Sequence, residues 1–182
     1  MNQMNYIQQS LNDNEELVHV AHFHWMYSVH AVINIIFSFV LAGCIVAFAI
    51  KFQPILFGTQ PGYDELSWID KVRVLHAGVK ILAFFVILMG LMKFAKMMID
   101  RATTEIAITN KRLVYKRGLV ARYVGEMNID RIEGVNVLQG VFGRIFGYGS
   151  IMVRGMGIGE VVLPPIADPI VFRKAIEKAR SV

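Results

Sequence analysis

The sequence predicts a membrane α-hairpin of two transmembrane helices joined to an α+β domain. That domain is an antiparallel barrel or sheet of six or seven strands capped by a C-terminal helix. Three observations lead there. Ala31 to Ile50 is a run of twenty residues without charge. A second apolar run covers Ala77 to Met98. From Glu105 onward, apolar and polar residues alternate with period two between glycine-marked turns, until Pro164-Pro165 and a final helical pattern.

Bulk properties agree. Hydrophobic residues make up 55% of the 182, and the mean hydropathy of +0.48 is high for a soluble protein. The net charge of +5 is unevenly distributed. Residues 1–92 carry four Lys/Arg against six Asp/Glu, and residues 93–182 carry fifteen against eight. A basic half following an apolar segment points to the cytoplasmic side of a membrane rather than to nucleic acid. The single cysteine, Cys44, excludes an intrachain disulfide and any CxxC motif.

Residues 1–25 are polar, acidic and free of Lys and Arg, unlike a cleaved signal peptide. They are expected to form an N-terminal cytoplasmic segment. The pattern from Glu16 to His24 suits a strand or a lead into a helix. The first transmembrane helix is expected over 26–50, with Trp25, Tyr27 and Lys51 at interfacial depths. At 1.5 Å per residue its charge-free run spans about 30 Å, the thickness of the hydrocarbon core. Gly43 and Ala47, four apart, could let another helix approach closely. Residues 51–76 are an external loop, broken by Pro54, Gly58, Pro61 and Gly62. It carries a short interfacial helix around Leu66, Trp68, Ile69 and Val72. The second transmembrane helix is expected over 77–98. Its charge-free centre is short, so a buried soluble helix is the alternative; Lys80, Lys93 and Lys96 would snorkel at its ends. The basic residues after it place both termini in the cytoplasm.

Residues 100–182 form the globular domain. Strands are expected over 105–109, 112–117, 119–127, 150–154 and 160–163, with Asn110-Lys111 as the first turn. Ile132, Val135 and Val137 share a face only if a bulge falls at Gly134. Gly140 to Phe146 is a short helical turn, with Phe142, Ile145 and Phe146 expected to pack on the barrel. Pro164-Pro165 should end the sheet. Asp168 and Pro169 then open a helix whose apolar face is Phe172, Ile176 and Ala179.

Thr109 to Gly118, Glu126 to Glu133 and Gly143-Arg-Ile-Phe-Gly-Tyr-Gly149, with the closing Pro-x-x-Phe helix, resemble the bacterial pleckstrin-homology (PH) domain of the YdbS-like membrane family. The resemblance covers about residues 100–180. It implies a PH-like barrel at the cytoplasmic face of the inner membrane and no catalytic activity.

No enzymatic constellation stands out. Gly155-Met-Gly157-Ile-Gly159 lies between strands with no helix after it, so it reads as a hairpin loop rather than a phosphate cradle. Beyond residue 100 there is neither His nor Cys, which removes the commonest general base and nucleophile pair. No catalytic, cofactor or metal residues are therefore assigned. Three readings remain. The first is a non-enzymatic scaffold or accessory subunit, its partners being the lipid bilayer, other membrane subunits or a second copy. Its candidate partner surface is Val141, Phe142, Arg144, Ile145, Phe146 and Tyr148. The second is an anionic-lipid sensor using Lys93, Lys96, Arg101, Lys111, Arg112, Lys116 and Arg117. The third is a haem or metal accessory protein using His19, His22, His24 and His30.

Overall fold

The computed structural model describes residues 5–58, 62–119, 123–156 and 159–180. The chain forms two compact units, Val29–Met97 and a discontinuous one made of Met1–Ser28 and Met98–Val182.

The first unit is a helical hairpin. Helix α2 (Trp25–Phe57) and helix α4 (Ala77–Thr103) are both long and apolar enough to cross a bilayer. The expected end of the first helix at residue 50 is corrected: α2 continues through Pro54 for two more turns. Pro54 has no N–H to give to the carbonyl of Ile50, four residues back. The Tyr63 hydroxyl donates to that carbonyl instead, at 3.0 Å, and Tyr63 is buried. The loop therefore starts later than residue 51. It holds a 3-10 turn (Tyr63–Glu65) and helix α3 (Trp68–Val74), which begins at Ser67, whose Oγ accepts from the Asp70 N–H. Pro61 lies outside the described residues.

The two long helices approach at Ser38 and Gly90. A Cβ on Gly90 would fall 2.4 Å from the Ser38 Cβ, so only glycine fits there. Gly43 has nothing within 4 Å of a Cβ position and does not make this contact. The Lys93 ammonium donates to Asn34 Oδ1 at 2.9 Å, tying α4 to α2 rather than only snorkelling. Gly90→Ala is expected to force the helices apart and destabilise the hairpin by about 1–3 kcal/mol. Thermal unfolding in detergent should show it, and Ser38→Gly in the same chain should restore the wild-type midpoint.

The second unit is the globular domain. The expectation of a separate N-terminal segment over 1–25 is corrected, because its described residues, from Asn5 on, are part of the domain. Helix α1 (Asn5–Ser10) lies against strand β2 (Glu105–Thr109), and strand β1 (Leu17–Ala21) pairs antiparallel with the same strand. The first sheet has the order β1-β2-β3-β4, with β3 at Arg112–Arg117 and β4 at Tyr123–Asn128. Residues 120–122 of the expected third strand lie outside the described residues. The second sheet runs β5-β6-β7, comprising Ile132–Leu138, Tyr148–Gly155 and Gly159–Val162. Its register shifts between Ile132 and Gly134, as the parity of Ile132, Val135 and Val137 required. Gly155 and Gly159 pair across the β6–β7 turn, so the glycine-rich stretch is a hairpin connection. The prolines do not end the sheet. Strand β8 (Ile166–Ala167) follows them and pairs with β6. Phe23 bridges Ile166, and the Ala167 N–H donates to the His22 carbonyl at 2.9 Å, which joins the two sheets.

Helix α6 (Pro169–Arg180) closes the domain with Phe172, Ile176 and Ala179 inward. They meet Ile106, Ile108, Leu113 and Met127 from one sheet and Ile132, Ile151 and Val153 from the other. Period-two alternation predicts that the far face of β2 and β3 is wet. Instead Ala107 and Val114, cross-strand partners on that face, are also buried. The N-terminal segment, with buried Ile7, accounts for this cover.

Candidate membrane-proximal interaction surface

Two features stand out on the domain: an ion-pair lattice on the first sheet and an apolar helix beside the start of α2.

The lattice uses the residues expected to form a lipid-binding hairpin. Arg112 donates from Nε and Nη2 to the two oxygens of Glu15, each at 2.9 Å, and from Nη1 to Glu126 at 2.6 Å. Its Nη2 also reaches the Ser10 carbonyl at 2.7 Å. The Glu15 side chain is fully buried and accepts further hydrogen bonds from the Thr109 hydroxyl and the Asn12 N–H. Burial pushes the Glu15 carboxyl up. The hydrogen bonds from Arg112, Asn12 and Thr109, with the Arg112 charge, outweigh it and hold the carboxyl below its ordinary range. The hydrogen bond to Glu15 raises the Arg112 guanidinium. Lys116 pairs with Glu105 at 2.6 Å, its register partner on β2. Arg117 pairs with Asp100, in the last turn of α4, at 3.1 Å, and that hydrogen bond raises its guanidinium.

Arg112 and Lys116 thus clamp neighbouring strands together, and Arg117 ties β3 to the end of α4. Lys111 stands exposed at the β2–β3 turn, and Arg117 is exposed despite its ion pair. That turn is at the far end of β2 from the helix it follows, roughly 16 Å along the strand. Arg101 donates to the Ser28 hydroxyl, joining the last turn of α4 to the first turn of α2. Lys96 is exposed on α4. A cavity of about 280 Å³ lies at this end of the domain, with Tyr27, Tyr115, Leu163 and Pro165 in its wall beside the Asp100–Arg117 pair.

The second feature is helix α5 (Val141–Phe146). The expectation that Phe142, Ile145 and Phe146 pack on the barrel is corrected. Val141, Phe142 and Ile145 are 74%, 67% and 68% exposed, and Phe146 is 43% exposed. The residue that meets the sheet is Gly143, which is buried, because a Cβ there would lie 2.5 Å from the Tyr148 carbonyl oxygen. Glycine lets the helix backbone sit on β6, and the larger side chains are turned out. Gln139 holds this arrangement by donating to the Gly143 carbonyl at 3.3 Å and the Tyr148 carbonyl at 3.0 Å. Arg144 is exposed on the same helix. Gly143→Ala is expected to lift α5 from β6 at a cost of about 1–3 kcal/mol. Faster proteolysis near Arg144, with the rest of the domain intact, would register it.

The histidines are structural at three positions. His19 meets the Phe172 ring edge-on at 5.8 Å. His22 supplies the carbonyl that joins the sheets. His24 Nδ1 accepts from the Met26 N–H at 3.2 Å, capping the start of α2, and its ring stacks on Tyr148 at 5.3 Å. His30 lies along α2. Among the described residues, no three His, Cys, Asp or Glu side chains converge as a metal site.

A family profile described as bacterial PH domain matches residues 31–180. The chain belongs to the bacterial PH domain family. The matched stretch begins within α2, so it takes in the hairpin as well as the C-terminal strands of the bacterial PH domain. Strand β1 and Glu15 precede it, although both are built into the sheet. Comparison with curated proteins gives no match, and neither does comparison with solved structures.

Sequence reasoning missed Glu15 as the partner of Arg112. The only available signal was an acidic residue ahead of a strand-like stretch, and nothing local links it to an arginine 97 positions away.

Proposed function

We propose that this bacterial PH domain protein is a non-enzymatic scaffold of the inner membrane. Its two helices span the bilayer, and its domain is presented to protein partners at the cytoplasmic face. The supporting observation is the pairing of β1 with β2. Three residues separate β1 from α2, and one residue separates α4 from β2. Adjacent antiparallel strands must lie on one side of a membrane, so the helices between them cross it an even number of times. The basic residues after the second helix favour the cytoplasmic side. Connections this short keep the domain at the surface, where it can act on neighbours in the bilayer.

Arg112 and Lys116, which would otherwise suggest headgroup binding, are engaged as strand clamps, and Arg117 is paired with Asp100. This favours an interaction role over lipid sensing by the basic hairpin. Strands β4 and β5 each end a sheet among the described residues and offer backbone groups for strand addition by another subunit or a second copy.

Topology reporters test the placement. A phosphatase that works only outside the cytoplasm should be inactive at the C-terminus and active when inserted after Gly58. The reverse pattern would overturn the orientation, and the same reading at both sites would overturn the crossing by α4. Light scattering of the detergent-solubilised protein tests the scaffold role. A defined homo-oligomer or a stoichiometric membrane partner is expected, and a stable lone monomer at membrane-like concentrations would refute it.

A further inference from the structure

We infer that α5 is a membrane-dipping element, with Val141, Phe142 and Ile145 seated at the boundary between headgroups and acyl chains. The inference rests on the reading that α2 crosses the bilayer. Soluble surfaces seldom expose a cluster of large apolar side chains this complete, and where they do, the cluster is a contact site. The occupant follows from what stands beside it. Trp25 is the first residue of α2 and is 54% exposed. Its ring meets Phe146 edge-on, with centroids 6.1 Å apart. Tryptophan at the start of a spanning helix sits at headgroup level, so Phe146 and the helix that carries it lie at that level too. The stacking of His24 on Tyr148 fixes the same relation a second time, from the residue that caps α2 to the strand that follows α5.

The chemistry of the stretch suits a bilayer. Residues 134–149 contain no acidic residue and one cation, Arg144, which is exposed on α5. Apolar side chains for the acyl boundary and a guanidinium for phosphate are the pairing that interfacial helices use. A six-residue helix is too short to hold a free domain on a membrane. It has no need to, because the chain already enters the bilayer at Trp25, and each weak contact is then made at high effective concentration. The Gln139 clamp and the Gly143 contact hold α5 against β6 with its apolar side chains turned out.

The test is a depth measurement on the full chain in phosphatidylethanolamine–phosphatidylglycerol vesicles, with Cys44→Ala as background. Spin labels are placed at Ile145→Cys, at Glu177→Cys on the exposed face of α6, and at Phe37→Cys within α2. Collision with oxygen is compared with collision with a water-soluble nickel chelate. At Ile145→Cys the oxygen-to-nickel ratio should be several-fold higher than at Glu177→Cys and lower than at Phe37→Cys. A ratio at Ile145→Cys equal to that at Glu177→Cys, with a lipid value at Phe37→Cys, overturns the inference and leaves the spans standing. Protection of Ile145→Cys from both reagents overturns it in favour of a protein partner or a second copy. A watery Phe37→Cys overturns the spanning reading itself.

Discussion

Arg112→Ala is expected to destabilise the domain by about 3–5 kcal/mol, because Glu15 is left as a buried carboxylate without its cation. Against an ordinary domain stability of about 5–15 kcal/mol this is a large share. The thermal midpoint should fall by about 10 °C or more. Fluorescence-detected size exclusion after heating in detergent would follow it, and a shift under about 2 °C would contradict the role given to the pair. The double variant Glu15→Gln, Arg112→Met removes both charges and should recover most of the loss, since no unpaired charge then remains buried. The pH dependence has a definite sign. The Glu15 carboxyl is held below its ordinary range in the fold. Its contribution is therefore complete above the unfolded value of about 4.3, declines as pH falls past that point, and is gone below the depressed native value. The midpoint of the wild type should drop through this acid window, and the double variant should lack that component.

Phe172→Ala should be comparably costly, at about 3–5 kcal/mol. Phe172 is fully buried and lies where α6 meets both sheets. Its ring also receives the edge of His19 on β1, so truncation loosens the strand that leads into α2. The expected readout is a lowered midpoint together with faster cleavage in α6 and near residues 11–16. Phe172→Leu should retain most of the stability, because it keeps the apolar contact and part of the volume. Equal losses from both substitutions would mean that the aromatic edge, rather than core volume, is what α6 requires.

Much of the domain was legible in the residues. Strands β2 and β3 begin and end where the alternation does, because both are held by a turn at Asn110-Lys111 that local chemistry specifies. The shift at Gly134 follows from parity alone, and α6 follows from Pro169 and the spacing of Phe172, Ile176 and Ala179. The surface was harder to read. A four-residue spacing shows that α5 has apolar side chains on neighbouring turns, but not which way they face. The steric requirement at Gly143 decides that, and it depends on a carbonyl of β6. The basic hairpin is a similar case, in which Arg112 meets Glu15 and Lys116 meets Glu105. Charge in a strand is visible in sequence, but its partner is not.

The two long apolar helices, the antiparallel strands with their closing helix, and the family can all be read along the chain, because each rests on periodicity or motif within a short stretch. Three features emerge with folding: the N-terminal segment completes the sheet, Glu15 neutralises Arg112, and α5 turns its apolar face outward beside Trp25. The difference lies in separation along the chain. Periodicity records what a residue does with its neighbours within a turn or a strand. Burial, ion pairing and the direction of a surface depend on residues about a hundred positions apart, and those meet only once the chain has folded.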